Sequence, residues 1–233
     1  MIALAGTAQA ASPLVYLRDI DASIRQDMRY ADSDNFTGKP LPGYVAAECM
    51  LRPAVARALK AVQAELAARD LSLKVYDCYR PARAVAAMAR WSRGAGGPDT
   101  SRFFPAAERN QLFALGYISG DSAHSRGVAV DLTIVPRNAV PPTTAPARSG
   151  PCTAPQAQRA PDDSLDMGTG FDCFDTKSHT RDATIVPAQA ANRALLLAVM
   201  RRHGFTNYKR EWWHFSFNSA DDGEAFDLPI RPR

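Results

Sequence analysis

The strongest periodic signal in the chain runs over residues 53–69, where Val55, Leu59, Val62 and Leu66 recur at i, i+4, i+7 and i+11 and set one apolar stripe on a helix. Pro53 opens it, in a first-turn position where the missing N–H has no intrahelical acceptor to lose. Leu71, Leu73 and Val75 then alternate with Ser72, Lys74 and Tyr76, the period-two pattern of a strand that packs under the helix and runs into Asp77-Cys78-Tyr79-Arg80. Pro81 begins a second helix to about residue 93, stopped by Gly94-Ala95-Gly96-Gly97-Pro98, and a third helical piece is expected over 106–115. A second strand is expected over 128–135, with Val128, Val130 and Leu132 on one side and Ala129, Asp131 and Thr133 on the other. Asp131 therefore points off the hydrophobic face. Pro187 opens the last helix, with Ala191, Leu195, Ala198 and Val199 as its inner face, cations at Arg201, Arg202 and His203, and a stop at Gly204. A final strand is expected over 212–217.

Between these elements lie turn-rich stretches. Residues 14–44 carry Asp32-Ser33-Asp34-Asn35 and Leu41-Pro42-Gly43 and read mostly as loop, as do 166–172. From 136 to about 163 the chain is rich in Pro, Ala, Thr and Arg without periodicity, which is long for a structureless connection and reads as a surface insertion. Length (233 residues) and 46% hydrophobic content support one substantial core, so residues 13–233 read as a single domain. The formal charge of +4 comes from scattered basic residues, which argues against nucleic acid as a partner. No apolar run approaches the roughly 20 residues that cross a bilayer.

Residues 1–12 are small and apolar and contain Ala8-Gln9-Ala10, which suits signal-peptide cleavage, although the charged leading region is missing and the apolar region is short. They read as a remnant of an export signal, with a frayed terminus as the alternative. Cys49, Cys78, Cys152 and Cys173 fit that reading, because an even number of cysteines in an oxidising compartment suggests two bridges. The expected pairing is Cys49 with Cys78, joining the start of the first helix to the end of the adjacent strand, and Cys152 with Cys173, closing the insertion. Periplasmic or secreted localisation follows. Four reduced thiols and a cytoplasmic protein are the alternative.

The candidate chemistry lies in Ser122-Ala123-His124-Ser125-Arg126-Gly127-Val128-Ala129-Val130-Asp131 and in Glu211-Trp212-Trp213-His214. A catalytic zinc is held by three nitrogen or carboxylate ligands with the fourth position open, and His124, Asp131 and His214 would make three. Each alone has an ordinary explanation: a surface histidine, a salt-bridged strand aspartate, a satisfied core histidine. Together they are stronger, because a mid-strand carboxylate is costly without a partner and a metal is one. Glu211 is left as a general base, and its spacing of three from His214 requires a bend or bulge before the strand. Arg80 could donate two hydrogen bonds to a developing oxyanion or simply pair with a nearby acid. His179 is a less favoured alternative ligand, and His203 is explained as a helix-end cation.

These residues resemble the zinc-dependent D-alanyl-D-alanine dipeptidases of the VanX type, related to the D,D-carboxypeptidases and sharing a fold with the Hedgehog signalling domain. The likeness runs from about Arg29 to the last strand and is carried by Tyr30, Asn35-Phe36-Thr37-Gly38-Lys39-Pro40, Tyr76-Asp77-Cys78-Tyr79-Arg80-Pro81, Ser122-x-His124-Ser125-Arg126-Gly127-x-Ala129-x-Asp131, Asp166-Met167-Gly168-x-x-Phe171-Asp172, Ser178-His179, Asn192-Arg193 and Glu211-Trp212-Trp213-His214. The resemblance implies an α+β fold, a small, mostly antiparallel sheet covered by helices. It implies one zinc on His124, Asp131 and His214, Glu211 as catalytic base and acid, and Arg80 against the tetrahedral intermediate. It also implies Asp172 for the substrate ammonium group, with Ser122 and Tyr30 helping to hold a small dipeptide. The Pro-rich insertion and the cysteines at 78, 152 and 173 depart from the family pattern. The function implied is hydrolysis of D-Ala-D-Ala. The alternatives are a D,D-carboxypeptidase or endopeptidase on peptidoglycan stems, and a non-catalytic, zinc-stabilised module that binds cell-wall peptides.

Overall fold

Strands β4 (Leu71–Asp77) and β5 (Ala129–Pro136) form the centre of the structure, paired antiparallel over nearly their whole length. The computed structural model describes residues 12–142, 149–218 and 223–233. The remaining elements, in chain order, are β1 (Val15–Tyr16), α1 (Leu17–Ile20), β2 (Arg25–Gln26), β3 (Met50–Leu51), α2 (Pro53–Ala67), α3 (Ala82–Arg93), α4 (Pro187–Arg202), β6 (Phe205–Asn207) and β7 (His214–Phe217). The main sheet has the order β2-β4-β5-β7-β6, parallel only between β2 and β4, and β1 and β3 form a separate antiparallel pair. This is the expected α+β class.

The apolar stripe of α2, Val55, Leu59, Val62 and Leu66, is buried in one cluster with Leu73 and Val75 of β4, Val130, Leu132 and Ile134 of β5, and Leu196, Val199 and Met200 of α4. A second cluster gathers Met88 and Trp91 of α3 with Phe36, Tyr79, Phe103, Phe104 and Phe174. Burial removes apolar surface at about 25 cal/mol per Å², so these two clusters hold the sheet from the α2/α4 side and steady the loops around α3. Both faces of the central strands are covered, and even Lys74 is only 4% exposed. Its ammonium is neutralised by Asp162, at 2.9 Å, and by Asp163. Both acids come from the Pro-rich stretch, of which residues 143–148 lie outside the described residues. Residues 1–11, most of the expected export signal, lie outside them too.

Several expectations need correction. The helical piece over 106–115 is a single 3₁₀ turn, Arg109–Gln111, because Leu112 is the one buried side chain of the segment and leaves it no apolar stripe to pack. The inner face of α4 is Arg193, Leu196, Val199 and Met200, while Ala191 is exposed. Arg193 turns the helix inward because its guanidinium donates to the carbonyls of Met167 (2.6 Å), His179 (2.6 Å) and Lys177 (2.9 Å). The last strand begins at His214, since Trp212 and Trp213 sit in a turn, and it pairs with β6, which apolar periodicity is too short to reveal. Within 14–44 the loop reading holds except for the short β1, α1 and β2 and a 3₁₀ turn, Arg29–Ala31. Cys49 is bonded to Cys78 and Cys152 to Cys173, the expected pairing.

Candidate metal centre and active site

The sheet register builds the first part of the site. Asp77 on β4 pairs with Asp131 on β5, which pairs with His214 on β7, so three polar side chains stand in one row across three strands. His124 reaches the same place from a 3₁₀ turn, Ala123–Arg126, in which the Ser122 hydroxyl accepts a hydrogen bond from the His124 N–H at 3.3 Å. Gly127 closes the turn at φ +70°, where a Cβ would run into the Leu14 side chain. Only glycine allows so abrupt an entry into β5.

The resulting triangle is tight. His124 Nε2 lies 3.1 Å from His214 Nδ1 and 3.3 Å from Asp131 Oδ1, and His214 Nδ1 lies 3.0 Å from that same oxygen. His124 Nδ1 is 2.6 Å from the Cys78 carbonyl, which makes it the protonated nitrogen and leaves the lone pair of Nε2 facing the triangle. Two imidazole nitrogens and a carboxylate oxygen converging in this way could hold a metal ion. Burial alone would raise the Asp131 carboxyl, but His124 and His214 hold it far below the usual carboxylate range.

Glu211 precedes β7 in a turn, with its N–H donating to the Tyr208 carbonyl (2.9 Å) and its carbonyl accepting from the His214 N–H (3.3 Å). That bend lets residues three apart face one cavity. Glu211 is half-buried in the cavity wall, where desolvation and then Asp131 push its carboxyl up to about 8 against the opposing pull of Arg80 and His124. Arg80 pairs with a nearby acid, the second of its two readings. Its Nε and Nη2 meet Asp77 Oδ2 at 2.9 and 2.8 Å, and its guanidinium also lines the cavity, stacked 4.9 Å from the centre of the Tyr30 ring. Nη1 reaches only the Met88 sulfur, at 3.7 Å, among the described residues.

Asp172 faces the same cavity from the loop after Phe171, in a left-handed conformation (φ +54°) that aspartate tolerates better than most residues. It is buried, and the Tyr30 hydroxyl donates to its Oδ2 at 2.7 Å. Desolvation, then the charge of Asp131, push its carboxyl well up. The cavity has a volume of about 470 Å³ and an apolar wall that includes Met88, Ile118 and Phe174, within the roughly 300–1,000 Å³ typical of small-ligand sites. His179 does not join the cluster, and its side chain lines a separate surface groove. His203 ends α4 and pairs with Glu65 at 3.0 Å.

Asp77 was not among the expected site residues. It is fully buried, accepts from the Tyr44 hydroxyl at 2.6 Å, fixes Arg80, and lies 3.4 Å from His124 Nδ1. Burial raises its carboxyl, with Arg80 and His124 opposing. Its place two residues after Val75 in a strand, three before Arg80, is the signal that could have marked it.

With this geometry in view, the family model described as D-ala-D-ala dipeptidase matches residues 10–142 and 157–228. The unmatched interval falls within the Pro-rich stretch. A D-alanyl-D-alanine dipeptidase of Streptomyces coelicolor is 35% identical over 218 residues, covering 92% of this chain and 96% of that protein. One from Enterococcus faecalis is 33% identical over 205 residues, with 86% and 89% covered. One from Escherichia coli is 30% identical over 207 residues, with 89% and 86% covered. With the match extending over most of its length on both counts, the chain belongs to the D-Ala-D-Ala dipeptidase family.

Proposed function

We propose that the protein is a zinc-dependent dipeptidase that hydrolyses D-Ala-D-Ala, with His124, Asp131 and His214 as the zinc ligands. The observation that carries this reading is the triangle of donor atoms 3.0 to 3.3 Å apart, because bonds of about 2.0–2.1 Å to a tetrahedral zinc separate ligand atoms by roughly 3.3 Å. Bound there, zinc would supply Lewis acidity and a nucleophilic water at neutral pH.

The protein's own residues supply the rest. Glu211 takes the proton of the attacking water and delivers it to the leaving amine, and a carboxyl raised towards neutrality by its surroundings suits a group that must both accept and donate. Arg80 faces the oxyanion that develops on the scissile carbonyl. Its bonds to Asp77 hold the guanidinium in place beforehand, so little reorganisation is needed as charge appears. Asp172 receives the substrate's ammonium group, and Tyr30 orients that carboxylate through its hydroxyl. Ser122 lines the same cavity, where it helps to hold the dipeptide, and its hydroxyl holds the turn that presents His124.

A free dipeptide is a small zwitterion, and a buried carboxylate such as Asp172 favours a free amino end over a peptide bond. Two buried disulfides support action in an oxidising compartment, the periplasm or outside the cell. The test compares D-Ala-D-Ala with N-acetyl-D-Ala-D-Ala and a stem pentapeptide, with and without chelator. Chelator-sensitive cleavage of the free dipeptide alone is expected. Equal cleavage of the blocked or longer peptides would replace this reading with a D,D-carboxypeptidase.

A further inference from the structure

Each disulfide ends on a residue beside the site. Beyond Asp77 the chain leaves the β4–β5 ladder, whose register already shifts between Val75 and Asp77. The sheet therefore does not fix the Cys78 carbonyl, yet that carbonyl accepts from His124 Nδ1 at 2.6 Å. Its partner Cys49 is fully buried and anchored on both sides, its N–H donating to Gln26 Oε1 (2.8 Å) and its carbonyl accepting from the Leu17 N–H (2.9 Å). Off the ladder, the segment that carries Arg80 and the acceptor for His124 is held by the Tyr79 N–H on the Met50 carbonyl (2.9 Å) and the Arg80 N–H on the His124 carbonyl (3.2 Å), and the bridge adds a covalent tie to a fixed point. An acceptor of this kind sets the orientation and tautomer of a ligand imidazole.

The other bridge repeats the relationship beside Asp172. Cys173 follows Asp172, whose left-handed backbone persists only if its surroundings impose it. Cys152 is anchored through its N–H to the Arg102 carbonyl (2.8 Å) and through its carbonyl to the Gly170 N–H (2.9 Å), while the Cys173 carbonyl accepts from the Ser178 hydroxyl at 2.6 Å.

We propose that the two disulfides are positioning elements for separate halves of the site: Cys49–Cys78 for His124 and Arg80, Cys152–Cys173 for Asp172. The first half rests on the zinc reading of His124, Asp131 and His214. The experiment compares wild type with two double variants, Cys49→Ala/Cys78→Ala and Cys152→Ala/Cys173→Ala. It measures zinc affinity by competition with a chromophoric chelator, kcat and KM for D-Ala-D-Ala, and thermal melting. Loss of an outer-shell restraint typically lowers metal affinity about 10–100-fold, and that loss is expected for the first pair. The second pair is expected to keep its zinc affinity and kcat while KM rises, because ground-state and transition-state binding weaken together.

Bridges that merely stabilise the fold would lower both melting temperatures and leave zinc affinity and KM of the folded variants unchanged, which overturns the proposal. Cys49→Val/Cys78→Ala, which refills the space, repeats the first arm. A pair that stays unfolded at saturating zinc would make the bridge a requirement of the fold and also overturn it. Wild type that takes up no zinc removes the functional reading and the first half with it, whereas wild-type uptake matched by the first variant removes this proposal alone.

Discussion

Asp131 on β5 stands directly opposite His214 on β7, its Oδ1 3.0 Å from the imidazole Nδ1, and His124 completes the contact from outside the ladder at 3.3 Å. An antiparallel register thereby becomes a triangle of donor atoms that could hold a metal ion. The carboxylate is buried at 2% exposure, a placement that is costly for a charge lacking a partner.

Replacement of His124, Asp131 or His214 by Ala is expected to abolish stoichiometric zinc. Elemental analysis of the purified variants checks this. Full zinc content in the His124→Ala and His214→Ala proteins would move the metal site elsewhere.

Glu211→Gln is expected to retain zinc and the wild-type melting curve while turnover falls by about 10²–10⁴, the usual worth of a general acid–base group. Steady-state kinetics beside metal analysis on the same sample separate the two effects. Near-normal turnover would assign the proton transfers to another group.

On the proposed function, Asp172→Asn and N-acetylation of the dipeptide remove opposite sides of one ion pair. Each is expected to reduce kcat/KM steeply, by the equivalent of roughly 2–5 kcal/mol for a buried pair, and the combined loss should be far less than the sum. Additive losses in the double comparison would mean that Asp172 acts on some other part of the substrate.

Asp162 gives a pH prediction outside the site. Burial works against its charge, yet Lys74 and Arg29 hold its carboxyl down at about 2, below the roughly 3.9 of an unfolded aspartate. A folded value below the unfolded one means that the contribution is complete above about 4 and is lost as pH falls through about 2. Asp162→Asn is therefore expected to cost on the order of 2 kcal/mol at pH 7 and progressively less below pH 4. Urea unfolding at pH 7, 5 and 2.5 measures it, and a cost independent of pH would contradict the ion-pair account.

Much of this was legible in the chain itself, for identifiable reasons. The stripe of α2 and the alternation of β4 and β5 are periodic signals long enough to read, and Asp131 stood out as a carboxylate in a strand. The bend at Glu211 followed from a spacing of three that a regular strand cannot use. Arg193 was invisible to apolar periodicity because its burial is driven by three carbonyl acceptors supplied by a distant loop. β6 has too few residues to show a period. Asp77 acquires its role only through the register that sets it beside Asp131, and through the partners Tyr44 and His124, brought in from far along the sequence.

The central claim, zinc-dependent hydrolysis of a free D,D-dipeptide, is tested most directly by titrating zinc into metal-free protein while following D-Ala-D-Ala cleavage and bound metal together. The account predicts that both rise in parallel and level off at one zinc per chain, with no cleavage before the first addition. Cleavage by the metal-free protein, or its absence at full zinc occupancy, would contradict it.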